Sequence, residues 1–127
     1  MPNAPVRMLT GTAERQDSTT STTFRELIPT PGEVFTTTAA ATLTALFVAE
    51  CRVSSTTKHL DVRIMVDGAV ADPGVAILTN SAKYETRSHL AFKVSVPAGS
   101  HTVTVHWRVS GGTGYVRNRS FTVWEVR

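Results

Sequence analysis

A chain of 127 residues, 41% hydrophobic and 18% charged, can bury one core and fits a single globular domain. Thirteen Lys and Arg against ten Asp and Glu leave a net charge of +3. These charges are scattered along the chain rather than gathered into the patch or stripe of a nucleic-acid binder. With a single cysteine no intrachain disulfide can form, and no apolar run is long enough for a bilayer-spanning helix; neither nucleic acid nor a membrane is expected as a partner.

The first forty residues are polar, rich in β-branched Thr and broken by Pro29, Pro31 and Gly32. They read as an extended arm with two short strands, at 6–13 and 22–28, which proline confines to sheet edges. Residues 1–7 lack the apolar stretch of a secretory signal, which predicts a chain made soluble in the cytoplasm. Residues 41–127 read as a β-sandwich domain. Between 41 and 53, Leu43, Ala45, Phe47, Ala49, Cys51 and Val53 alternate with Thr44, Leu46, Val48, Glu50 and Arg52. That is the period of a half-buried strand. One face is wholly apolar, and Cys51 on it reads as a small buried hydrophobe. The other face runs from apolar to charged, so its Leu46–Val48 end is expected to be covered by the arm or by another subunit.

Leu60, Val62, Ile64 and Val66 alternate with Asp61, Arg63 and Met65 and end at Asp67-Gly68, a strong hairpin signal. The chain returns through 69–78, with a second turn at Asp72-Pro73-Gly74. Leu90, Phe92, Val94 and Val96 share one face of a strand at 89–96. Val103, Val105, Trp107 and Val109 share one face of the strand at 101–109, placing Trp107 in the core. A glycine-rich loop at 110–114 leads through Tyr115 and Val116 to a last strand at 119–126. No segment keeps a 3.6-residue period over helical length. The pattern predicts an all-β fold: an antiparallel, jelly-roll-like β-sandwich of roughly seven to nine strands with an extended N-terminal arm.

Sites of chemistry are absent from the pattern. Gly112-Thr113-Gly114 has no Ser at its centre and joins two strands, so it is no nucleophile elbow. The same loop lacks the Lys and the helix of a phosphate loop. His101 and His106, five apart on a strand, point to opposite faces. Asp67 and Asp72 lack the dense spacing of a calcium loop and read as turn caps. Asn118-Arg119-Ser120 matches a glycosylation sequon, read as chance. No catalytic residue, cofactor or metal is expected, and the chain reads as a non-enzyme. One metal arrangement stays open, a histidine from each of three subunits meeting on an axis.

The last strand carries the candidate site. Phe121 and Val123 share one face, yet Trp124 and Val126 lie on the other, and a two-layer sandwich buries one face of a strand. Trp124, Val126, Leu46 and Val48 are therefore candidate subunit-interface residues; the arm, or a sugar ring on the indole, are the other coverings. Tyr115, Arg117 and Asn118 are candidate ligand or surface contacts, with a glycan as the ligand class.

Three stretches carry a resemblance: Leu60-Asp61-Val62-Arg63-Ile64-Met65-Val66-Asp67-Gly68, Val96-Pro97-Ala98-Gly99-Ser100-His101-Thr102-Val103-Thr104-Val105, and Trp107 to Tyr115 with the closing Arg119-Ser120-Phe121-Thr122-Val123. Over residues 41–127 the chain resembles bacterial and phage β-sandwich modules similar to the C1q/TNF-like jelly roll. The resemblance implies a compact, often trimeric module that displays or attaches and does no chemistry. No collagen-like stalk precedes it here, so the implied role is a virion decoration or minor structural subunit at a particle surface. Its implied partners are copies of itself and a capsid or other particle protein.

Overall fold

The computed structural model describes residues 8–27, 34–37 and 39–126. Among them are eleven strands and no helix: β1 (Met8–Ala13), β2 (Asp17–Thr19), β3 (Arg25–Glu26), β4 (Val34–Thr37), β5 (Ala41–Val53), β6 (Leu60–Val66), β7 (Ala69–Val70), β8 (Ala76–Thr79), β9 (Glu85–Val96), β10 (Gly99–Val109) and β11 (Gly114–Val126). They form two antiparallel sheets packed face to face. Sheet A runs β1-β11-β5-β9, with β2 also on β11; sheet B runs β3-β10-β6-β7, with β4 on β10 and β8 on β6. The fold is an all-β sandwich of the jelly-roll kind.

The N-terminal segments add short strands to both sheets. The strand anticipated at 6–13 is β1 from Met8 on, residues 6 and 7 lying outside the described residues. Its partner at 22–28 contracts to β3, residue 28 again lying outside, while β2 and β4 are additional. β1 and β2 run along β11, and β3 and β4 along β10. β9 starts at Glu85, ahead of the strand expected at 89–96, and Tyr115 and Val116 belong to β11 rather than to a connecting loop.

The core lies where alternation placed it along the long strands. Leu43, Phe47, Ala49 and Val53 of β5 are almost wholly buried, as are Val62 and Ile64 of β6 and Val103 and Val105 of β10. Trp107 joins them at 5% exposure. Burying a side chain such as Phe47 contributes roughly 1.5–3 kcal/mol. The two-residue hairpin between β6 and β7 uses Asp67 and Gly68 at φ 52° and 82°, the left-handed pair that such a turn requires.

Two bulges decide which side chains face in. In β11 the register against β5 shifts between Arg117 and Ser120, and Asn118 takes φ 48°. An extra residue in one strand reverses the parity beyond it. Gly114 and Val116 point inward before the bulge; Arg119, Phe121, Val123 and Glu125 do so after it. In β9 a similar shift opposite residues 41–43, with Ser95 at φ 58°, lets Val96 turn into the core. Upstream of it, His89 and Ala91 face in, and Leu90, Phe92 and Val94 face out at 52%, 42% and 58% exposure. The shared face of Leu90, Phe92, Val94 and Val96 suggested by their spacing is thus split by the bulge.

The β11 bulge also puts a cation inside. The Arg119 side chain has no exposed surface; its Nη2 donates to Asp17 Oδ2 at 2.6 Å and its Nη1 to the Arg15 carbonyl at 3.3 Å. Arg15 donates to the other Asp17 oxygen at 2.9 Å. Burial alone would raise the Asp17 pKa, but the hydrogen bonds from Arg119 and Arg15 outweigh it and hold the carboxyl below its ordinary value.

Two predictions follow from this packing. Asp17→Ala, which removes one partner of a buried ion pair, should destabilise the domain by about 3 kcal/mol in urea unfolding. Because the folded pKa is depressed, the difference should be full at neutral pH and shrink as pH falls through that value. Cys51 has no exposed surface, and burial pushes its thiol up to about 12. Maleimide labelling at neutral pH should therefore be negligible in the native protein and complete in denaturant, as read by mass spectrometry.

Candidate functional site

The outward face of sheet A brings together residues from its three long strands. Cross-strand register aligns Trp124 of β11, Thr44 of β5 and Phe92 of β9 in one row. The next rows are Thr122, Leu46 and Leu90, then Ser120, Val48 and Ser88. Arg117, Glu50 and Thr86 follow, and Tyr115 opposite Arg52 closes the face. Trp124, Val126, Leu46 and Val48 are all half-buried on this face, and Leu90 and Phe92 extend it to the sheet's edge.

Because of the bulge, Tyr115 and Arg117 share this outward face with Thr122 and Trp124 despite their odd numbers. A strict period of two would have put them on opposite sides. The face therefore has an apolar half around Trp124, Leu46 and Phe92 and a polar half around Tyr115 and Arg117.

In the polar half the side chains are engaged with each other. The Arg52 guanidinium lies 4.1 Å from the Tyr115 ring centre and 5.6 Å from that of Tyr84, and Arg117 lies 3.7 Å from the Tyr84 ring. Such cation–π contacts contribute roughly 0.5–1 kcal/mol at exposed sites. Glu50 accepts from Arg117 Nε at 2.8 Å and from Asn118 Nδ2 at 3.1 Å. Those hydrogen bonds hold its carboxyl below its ordinary value. Tyr84 donates to Gln16 at 2.8 Å. Guanidinium groups thus lie over both tyrosine rings. Beside the bulge an open groove is lined by Thr12, Ala13, Glu14, Asn118, Arg119 and Ser120.

A second apolar strip lies on sheet B's edge. Val70 of β7, Ile77 of β8 and Val75 just before it are 38%, 62% and 49% exposed. The two edges meet where Asp72 and Phe92 exchange backbone hydrogen bonds at 2.9 and 2.7 Å. Sequence reasoning missed Leu90, Phe92, Val94 and Ile77 as surface residues, because an apolar period of two reads the same whether it faces a core or a partner. The small Ala91 between Leu90 and Phe92 was the one local hint of an inward face packed tightly.

The histidines lie apart in function. His59 Nδ1 stands 2.8 Å from Asp61, which also accepts from Arg108 at 3.0 Å. His89 is buried on the inward face of β9, and burial lowers its pKa. His106 lies 3.4 Å from Arg63, and burial, followed by that positive charge, lowers it too. Among the described residues no three His, Cys, Asp or Glu side chains converge on a point that would hold a metal ion, and no helix is long and apolar enough to cross a membrane.

No family model matches the chain, and no curated protein matches it in sequence. Solved structures share its fold. The VP2 subviral particle of infectious bursal disease virus superposes with a TM-score of 0.62 at 15% identity, over 98% of this chain and 34% of that one. A family GH115 4-O-methyl-alpha-glucuronidase gives 0.58 at 8% identity, over 100% of this chain and 18% of the other. The TNF protein Eiger from S. frugiperda gives 0.50 at 10% identity, over 97% of this chain and 94% of that one. The chain spans about a third of the VP2 chain it resembles. At such identities what is shared is the fold: this chain is a jelly-roll β-sandwich like those in the VP2 subviral particle and a TNF protein.

Proposed function

We propose that this chain is a non-enzymatic, self-associating structural module that buries the apolar half of sheet A's outward face against further copies of itself. The observation that carries the reading is the continuity of Trp124, Leu46 and Val48 with the exposed Leu90, Phe92 and Val94. Isolated apolar residues are normal on a protein surface, but a contiguous patch rimmed by polar groups marks an interaction site. Here the rim is the Arg52, Arg117 and Glu50 cluster with its two tyrosines. Charged groups at the edge and aromatic and aliphatic groups at the centre form the usual anatomy of a protein interface.

The occupant is a second copy rather than a foreign partner because one chain carries two apolar strips, on the edges of its two sheets, that meet at the Asp72–Phe92 bridge. A contact between different patches on successive copies forms a ring where the rotation between them closes, and a trimer is the closed form we assign. A trimer at the surface of a phage or phage-like particle is the assembly we assign, with a capsid or other particle protein beneath it. The shared fold with a subviral-particle protein and with a TNF protein supports a display or decoration role.

Light scattering on the full chain tests this. The reading expects a mass of three times 13.7 kDa that persists on dilution. Leu90→Lys and Phe92→Lys, both at exposed positions, should leave the circular dichroism spectrum unchanged. Each should weaken association by about 2 kcal/mol, roughly thirtyfold. Trp124→Ser should act in the same direction. A chain that stays monomeric at every concentration overturns the proposal.

A second reading, a lectin-like module, is favoured by the groove that Asn118, Glu14, Ser120 and Thr12 line beside the bulge. It expects retention on a glycan array that Asn118→Ala abolishes and Leu90→Lys does not. Guanidinium groups already lying over Tyr84 and Tyr115 weigh against ring stacking there.

A further inference from the structure

One end of the sandwich gathers four pieces of chain around His101. The residue lies in β10; the Asp67-Gly68 hairpin, the turn at 97–99 and β4 surround it, with Phe35 of β4 opposite His101 in register. Its side chain is 5% exposed. Nδ1 lies 2.6 Å from Asp67 Oδ2, and Nε2 lies 2.7 Å from the carbonyl oxygen of Pro97.

A carboxylate and a carbonyl are both acceptors, and a neutral imidazole carries a single N–H. Either neutral tautomer would turn a nitrogen lone pair onto an oxygen at hydrogen-bond distance. The imidazolium, with a proton on each nitrogen, satisfies both. Thr37 Oγ1 of β4 is 3.5 Å from Nε2 but donates to the Pro97 carbonyl at 2.9 Å, so its proton is directed elsewhere. The second Asp67 oxygen accepts the Thr102 N–H at 2.9 Å, which favours the ionised carboxylate.

We propose that His101 is a proton-operated clasp: its imidazolium ties the Asp67-Gly68 hairpin to the turn at 97–99, and loss of one proton loosens β4 from β10. β4 depends on the clasp because Thr37 is bonded to the same Pro97 carbonyl and lies 3.4 Å from the Gly99 carbonyl. Of the groups facing the ring, Asp67 brings a charge from the hairpin, Thr37 brings a hydroxyl from β4, and the turn brings the Pro97 carbonyl. Asp67 is the charged side chain that acts on the ring among the described residues.

The direction of the pH dependence follows. Burial alone would lower the His101 pKa, but the bonds to Asp67 and the Pro97 carbonyl outweigh it and raise it above the ordinary value of 6.5. A raised folded pKa means that the stabilisation is complete below the ordinary value and is lost as pH rises through the raised one. At the acid end the clasp fails when Asp67 protonates. Burial would raise the Asp67 pKa, yet the His101 and Thr102 hydrogen bonds hold it below its ordinary value.

The test is nitrogen-15 NMR of the histidine-labelled full chain, with hydrogen exchange of 34–37 and 99–102 corrected for the intrinsic rate at each pH. At about pH 7 both His101 nitrogens should carry protons, and its titration should lie above those of His89 and His106. As pH rises from the ordinary imidazole value toward that titration, protection of β4 should fall by up to about tenfold per pH unit, and it should level off above it. His101→Gln, whose two N–H donors sit on a single nitrogen and cannot span acceptors at opposite ends of a ring, should show low protection with no such step. Asp67→Asn, which removes the charge at constant size, should move the His101 titration down. A single protonated ring nitrogen at about pH 7, or β4 protection that ignores the His101 titration, overturns the proposal.

Discussion

The extra residue in β11 governs much of what this sandwich presents to its surroundings. β11 lies between β1 and β5 in sheet A, and a strand in a two-layer fold has one face for the core and one for everything else. With Asn118 in a left-handed conformation, the strand changes parity midway. Phe121 and Val123 thereby enter the same core as Val116. Trp124 and Thr122 come to share the outward face with Tyr115 and Arg117. Without that bulge, either the Phe121 or the Val116 end of the strand would turn its apolar groups to water.

The same shift carries Arg119 inward, and the fold answers it with Asp17 from the segment after β1. The pair is held at 2.6 Å with the guanidinium wholly buried. A buried ion pair is weak evidence for net stability, since desolving both charges offsets most of their attraction. Its clearer effect is on register: the paired charges fix β2 against the first half of β11, while β1 runs along the second half. The N-terminal strands are in this way tied to the central strand by charge as well as by backbone hydrogen bonds. On sheet B, β4 is tied differently, through Thr37 and the His101 cluster.

The outward face of sheet A then divides by chemistry. Toward Tyr115, guanidinium, carboxylate and phenol groups satisfy one another; toward Trp124 the face carries no charged side chain in the rows from Ser120 to Trp124 and reaches the β9 edge. Edge strands are usually blunted by charge or by cover. β9 follows that rule at Glu85 and Arg87, which pair at 2.6 Å, and departs from it at Leu90, Phe92 and Val94. The departure is where self-association is assigned. Similar folds occur in a VP2 subviral particle, in part of a glucuronidase and in a TNF protein, so the proposed role rests on this surface rather than on the fold.

Composition and local period determined the fold class by themselves. The thirteen-residue alternation from Ala41 to Val53, the Asp67-Gly68 hairpin and the apolar row ending at Trp107 and Val109 each specify a strand or turn from local physics. The structure keeps all of them. The candidate residues Trp124, Leu46 and Val48 were legible as an apolar second face, because two-sided apolar strands violate the one-face rule. Which residues join them was decided only by tertiary structure. Leu90, Phe92 and Val94 have the spacing of core residues, and only the packing of Ala91 and His89 against β5 turns them outward. The placement of Arg119, Tyr115 and Arg117 depends on a one-residue bulge that no composition signal marks. His101 likewise looked like an ordinary strand histidine. Its double acceptor environment comes from Asp67, brought in by sheet pairing, and from the Pro97 carbonyl of the turn before its own strand, and local sequence does not encode their convergence on one ring.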